Sequence, residues 1–284
     1  MGLPLEPFMG RGKRYWISSP PAEPWLKWAA RFGYAACGIV YVAIGLAAGA
    51  VALGLAREPT GSRGVMLFLS RQPFGPLVLA ALGVGLAGYA ALNFAGAIND
   101  PERRGISFRG LVVRAIDILT GALYIALAVA ALAIVVHPRD DGISTAVAWA
   151  GGILALPFGP VILGLIGAAL IVSGGYLFYR ASDEPFGEAL DKRSLSLKTR
   201  GWIALAARAG TAARGLIFAI CGVFVVRAAM SASPDRVGDV GDALAMIGNA
   251  TFGPLLLAVV GAGFIAYGAY QLAKARYQRI ASRA

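Results

Sequence analysis

Histidine occurs once in this sequence and cysteine twice, which leaves little material for a metal centre, a histidine-based catalytic apparatus or a disulfide framework. Charge is scarce too. Only 14% of the 284 residues are charged, against roughly a quarter in soluble domains, while 58% are hydrophobic and the mean hydropathy is +0.68. So apolar a chain lacks the polar surface to cover a water-soluble core, and its folding has to be read in bilayer terms. Acids are scarcer than bases, 15 against 26, for a net charge of +11. Such an excess on a soluble face would suggest nucleic acid; here the basic residues lie in short segments between apolar runs, so no nucleic-acid partner is expected. Cys37 follows Arg31 by six residues and Cys221 follows Arg208 by thirteen, an offset of about 10 Å along a helix. A bridge between them is not expected at that depth difference, and both read as packing residues.

What is abundant is apolar length. Runs at 34–56, 77–98, 111–136, 154–178, 209–229 and 254–273 each hold enough residues to cross a hydrocarbon core of about 30 Å as helix. Helix is the physical default, because an open strand edge would leave backbone groups unpaired in lipid. Six transmembrane helices follow. Twenty of the 26 Lys and Arg fall on the side that carries both termini, which predicts a bacterial inner-membrane, multi-pass protein with both termini cytoplasmic. Residues 1–24, with five prolines and no apolar run, read as a disordered cytosolic leader, and 279–284 as a cytosolic tail.

The spans are not independent. Trp25, Arg31, Gly38 and Tyr41 set a spacing that Phe108, Arg114, Gly121 and Tyr124 reproduce, and that Trp202, Arg208, Gly215 and Phe218 reproduce again. A second shared element closes each unit: Pro73 to Pro76, Pro157 to Pro160 and Thr251 to Pro254 carry a Phe-Gly-Pro end, with Phe74, Phe158 and Phe252 as interfacial anchors. At these outer elbows proline fits the first turn of the following helix and glycine is expected to supply the bend. Gly83, Gly167 and Gly261 recur seven residues past each closing proline, on one face and depth of the returning helix. Together with Gly38, Gly121 and Gly215 they read as helix-packing positions, where small residues let backbones approach in lipid. The segments 64–71, 146–156 and 242–250, just before the elbows, are read as brief helices on the outer surface. The fold expected is therefore all-α: three tandem two-helix membrane repeats, 25–100, 101–195 and 196–278, arranged about a pseudo-threefold axis.

These repeated elements resemble the bacterial membrane family known as domain of unknown function 1206. The matching residues are Arg31, Gly33, Gly38, Tyr41, Pro73, Phe74 and Gly75 in the first unit and Arg208, Gly210, Gly215, Phe252 and Gly253 in the third. The middle unit departs by placing Ile116 where the others have Gly33 and Gly210, and the third has Thr251 for the elbow proline. The resemblance covers roughly residues 25–275 and implies a six-span membrane protein; it brings no reaction with it.

Polar groups inside the spans are the candidate sites. Arg31, Arg114 and Arg208 read either as anchors that snorkel to anionic lipid headgroups and cap neighbouring helix ends, or as an anion-selecting vestibule. The first reading needs no ligand beyond lipid. Asp117 is the acid within a span, and its preferred account is an intramembrane ion pair with Arg114 or Arg214. Ion-coupled transport through it is the sharper alternative, but Tyr34 and Thr211 at the corresponding positions are not acidic. His137, with Asp140 and Asp141 nearby, lacks the co-ligands of a metal site and reads as surface. No metal, cofactor or catalytic motif is indicated, and an enzyme is not expected.

The sequence thus points first to a structural or interaction role in the membrane, with anionic lipids and a second copy or another membrane protein as partners. A small-solute or ion transporter or channel with a cytoplasmic, arginine-lined entrance is the alternative. A polar cavity on the pseudo-axis favours transport; a dry, glycine-packed centre favours the structural role.

Overall fold

The computed structural model describes residues 24–99, 108–136, 145–183 and 197–277. Residues 1–23 of the leader, the tail and His137, Asp140 and Asp141 lie outside the described residues, while Pro24, counted with the leader in sequence, opens the first helix. Within them the chain forms α1 (Pro24–Ala52), α2 (Ser62–Ser70), α3 (Gly75–Asn99), α4 (Phe108–Val136), α5 (Thr145–Leu154), α6 (Gly159–Asp183), α7 (Leu197–Ser231), a 3-10 turn (Pro234–Arg236), α8 (Val240–Gly248) and α9 (Gly253–Tyr277). Six of these, α1, α3, α4, α6, α7 and α9, are long and apolar enough to cross a membrane. Their outward faces are aliphatic: Leu46, Val84, Val161, Leu165, Leu255 and Val259 are all exposed. Arg214, Gln271, Thr120, Thr211 and Ser173, by contrast, are buried. Apolar outside and polar inside is the arrangement lipid demands.

The repeat read from sequence is a unit of two spans, yet the tightest packing joins spans from different repeats. α3 lies against α4, α6 against α7, and α9 returns to α1, so the six helices close into a ring. Glycine is the reason. A methyl group added at Gly38 would lie 2.9 Å from the Gly268 carbonyl oxygen, and one at Gly45 2.6 Å from that of Gly261. The α6–α7 pair repeats these rungs, with Gly215 against Gly174 at 2.8 Å and Gly222 against Gly167 at 2.8 Å. In α3–α4 the corresponding contacts are looser. Ala90 and Ala128 replace two of the glycines, so Gly83 meets the Leu132 side chain at 3.0 Å, while Gly121 meets the Phe94 ring at 2.9 Å.

The elbows differ from expectation in which residue makes the bend. Phe74 and Phe158 themselves hold the left-handed conformation, each at φ 62°, and both are exposed. Glycine follows them for lack of room instead: a Cβ at Gly75 would collide with the Leu69 carbonyl oxygen, at Gly159 with that of Ile153 and at Gly253 with that of Gly248. Pro76, Pro160 and Pro254 then occupy the first turns of α3, α6 and α9, where no N–H is needed.

Two of the short helices before the elbows, α2 and α8, sit deeper than a surface reading allows, whereas α5 leaves Trp149 exposed. Met66 of α2 and Leu244 of α8 are fully buried and join Leu79, Leu86, Leu257 and Phe264 in one apolar core. They stopper the elbow end of the ring. In α8 the start is fixed by a capping box, in which the Asp239 carboxylate accepts from Asp242 N–H at 3.2 Å and the Asp242 carboxylate accepts from Asp239 N–H at 2.7 Å.

Candidate functional site

The half of the ring nearer the termini is hollow. An axial cavity of about 220 Å³ receives side chains from all six long helices. Its construction follows the repeat register. Six residues past each entrance arginine, about 9 Å further along the helix, come Cys37, Thr120 and Arg214, all buried. Thirteen past each elbow proline come Tyr89, Ser173 and Tyr267, also buried; seventeen past come Asn93, Leu177 and Gln271; twenty past come Gly96, Arg180 and Lys274. Equivalent positions of three homologous units thus converge on one axis, as a pseudo-threefold ring requires. The scaffold is symmetric, but its chemistry is not.

Arg214 forms the centre of the asymmetry. Its guanidinium donates from Nη1 to the Tyr267 hydroxyl at 3.0 Å and from Nη2 to Thr120 Oγ1 at 3.0 Å, and stacks over the Phe218 ring at 4.7 Å. These partners are neutral. They hold the fork in place and disperse its charge without cancelling it. Gln271, only 1% exposed, donates from Nε2 to the Tyr89 hydroxyl at 2.9 Å and to Cys37 Sγ at 3.4 Å. Cys37 Sγ in turn lies 3.1 Å from the Tyr124 hydroxyl, which donates to that of Tyr41 at 3.2 Å. Edge-on ring contacts, Tyr41 with Tyr267 at 4.8 Å and Tyr89 with Tyr124 at 4.6 Å, lock the aromatic floor.

Two further cations line the cavity nearer its mouth, where side chains are partly exposed. Lys274 Nζ lies 4.2 Å from the centre of the Tyr34 ring, and Arg180 comes from α6. Asp117 lines the same space from α4, its carboxylate beside Gly96, where an added methyl would be 3.5 Å from Oδ2. Among the described residues, three cations against one acid give the lining a net positive charge. Two buried polar atoms there, Nε of Arg214 and Oε1 of Gln271, have no hydrogen-bond partner among the described residues. Since nearly all buried polar groups are satisfied, these are the atoms to which water or a ligand group is owed.

The structure distributes the sequence-predicted residues unevenly. Arg31 and Arg208 are exposed, Arg31 standing 5.6 Å over the ring of Trp28, and Arg114 is partly buried. None of these three lines the cavity. Asp117 and Arg214 do share it. Cys37 and Cys221 are free thiols. Sequence reasoning overlooks Gln271, Tyr89, Tyr267 and Thr120 as site residues and counts Arg180 and Lys274 only as flanking cations. The signal for all of them is the constant offset from entrance arginine or elbow proline.

A ring of six lipid-length helices, polar on its axis and aliphatic on its rim, defines a polytopic α-helical membrane protein with an internal cationic cavity. The chain belongs to the family described as Domain of Unknown Function (DUF1206), which matches three times, at residues 32–100, 118–182 and 209–278. Uncharacterized protein YxxB of Bacillus subtilis (strain 168) is 35% identical over 258 residues, covering 91% of this chain and 93% of that protein. No solved structure matches the chain.

Proposed function

We propose that this is a multi-pass protein of the bacterial plasma membrane, both termini cytoplasmic, that binds a small anionic group in its axial cavity from the cytoplasmic side. Of the two roles read from sequence, solute handling is thereby favoured over a purely structural one. The observation that carries it is the buried Arg214 guanidinium, held by neutral hydroxyls and flanked by Arg180 and Lys274. A cation kept this deep in an apolar assembly is costly unless it meets a counter-charge. The stoppered elbow end supports a site entered from one side rather than an open pore. The exposed Arg31 and Arg208 fit the lipid-anchor role better than a vestibule. The proposal is one of binding, with no covalent step.

Titration calorimetry of the detergent-solubilised protein with inorganic phosphate, sulfate and chloride tests it. Saturable binding of at least one anion, weakened about tenfold or more in Arg214→Gln, is the expected result. Absence of binding to every anion, or binding unchanged in that variant, overturns it.

A further inference from the structure

Resting on the anion-binding reading, we propose that the group held in the axial cavity is the phosphate-bearing headgroup of a membrane lipid, whose acyl chains leave through a seam between α4 and α6. The ring is sealed within the first and third repeats by small residues. Between α1 and α3, a methyl at Gly33 would lie 2.8 Å from the Tyr89 backbone nitrogen, and one at Gly85 3.3 Å from the Phe32 carbonyl oxygen. Between α7 and α9, one at Gly210 would lie 2.7 Å from the Tyr267 nitrogen and one at Gly263 2.6 Å from Ala213 Cβ. Repeat register identifies the equivalents in the middle unit. Ile116 replaces Gly33 and Gly210, Leu119 replaces Ala36 and Ala213, and Ala169 replaces Gly85 and Gly263. Backbones cannot approach across such side chains, and of the neighbouring pairs around the ring α4 and α6 touch least.

That seam borders the cavity. Ile116, Asp117 and Thr120 on one flank and Leu177 and Arg180 on the other all line it. Its volume, about 220 Å³, lies below the 300–1,000 Å³ range of sites that enclose whole drug-sized ligands. A headgroup fits where a lipid does not. With its phosphate at Arg214, six residues or about 9 Å deeper than the entrance arginine Arg208, the lipid would have to send its chains through the wall of the ring. The seam is the wall that small residues do not close. The lining also offers an acceptor, Gln271 Oε1, which has no partner among the described residues, beside its three cations. That pairing suits a phosphate carried next to hydroxyl donors, as in a glycerol phosphodiester.

The test uses the full chain in phosphatidylcholine vesicles doped with a phosphatidylglycerol that carries a diazirine in one acyl chain. Adducts are mapped by peptide mass spectrometry, with calorimetry on free glycerol phosphate alongside. The pseudo-symmetry supplies internal controls, since the α1–α3 and α7–α9 flanks are homologous to the α4–α6 flank. Adducts concentrated around Ile116, Leu119 and Ala169, and lowered roughly tenfold in Arg214→Gln, are the expected result. Even labelling of all three flanks, with free glycerol phosphate still binding through Arg214, overturns the lipid inference and leaves the anion reading standing. Seam adducts indifferent to Arg214→Gln mark a boundary lipid and likewise overturn it. If glycerol phosphate fails to bind and labelling is even, the lipid inference falls, and the anion reading stands or falls with the inorganic anions.

Discussion

Gly45 of α1 and Gly261 of α9 face each other so closely that a methyl group on the first would lie 2.6 Å from the carbonyl oxygen of the second. They come from the first and last repeats, and their contact closes the ring. In lipid no hydrophobic drive brings helices together, so association depends on dispersion over surfaces that approach closely.

Substituting these rungs should therefore cost stability where other glycines do not. Gly45→Ala and Gly222→Ala are each expected to destabilise by about 1–3 kcal/mol, the usual range for overpacking. Gly49→Ala and Gly175→Ala, where an added methyl meets open space, should stay within about 0.5 kcal/mol. Unfolding in detergent compares the four.

The elbows predict a difference between identical substitutions. Phe74 sits at φ 62°, where a β-branched side chain is strongly disfavoured, whereas Phe252 does not have positive φ. Phe74→Ile should cost about 1–2 kcal/mol more than Phe252→Ile. Thermal unfolding of the two variants side by side measures it.

Arg214 is held by geometry as well as charge. Lysine at this position keeps the charge but cannot donate in a fixed fork to both Tyr267 and Thr120, which accept at 3.0 Å each. Arg214→Lys should lower stability by about 1–3 kcal/mol, and changing salt or pH should not recover it. Thermal unfolding across salt concentrations is the check.

The apolar stopper predicts one-sided access. In a Cys37→Ser, Cys221→Ser background, Thr120→Cys places a thiol on the cavity lining beyond the fully buried Met66 and Leu244. A membrane-impermeant maleimide should label it in inverted vesicles and not in intact cells. Labelling from outside would mean the elbow end is open.

Much of this architecture is legible in the sequence because the constraints are one-dimensional. Apolar length gives the six spans, and the recurring arginine, glycine and elbow proline give the threefold repeat. Helix pairing is harder to read. A repeat boundary marks equivalent positions, not contacts, so α1 and α3 count as a unit in sequence although α1 packs most extensively on α9. Nor does a Pro-Phe-Gly string reveal that phenylalanine takes the left-handed conformation while glycine merely avoids a carbonyl. The site is hidden differently. The entrance arginines draw attention by recurring, whereas Arg214 stands where its equivalents are Cys37 and Thr120, and Gln271 where they are Asn93 and Leu177. In this ring the candidate site residue is one that breaks the repeat, and an offset-by-offset comparison of the three units exposes it.

Native mass spectrometry of the protein released gently from its own membranes addresses the axial cavity most directly. The wild type is expected to retain a phosphate-bearing adduct in stoichiometric amount, and Arg214→Gln, folded to the same helical content, to lose it. Identical adduct spectra for the two proteins, or a wild type that carries none, would contradict an anion held at Arg214.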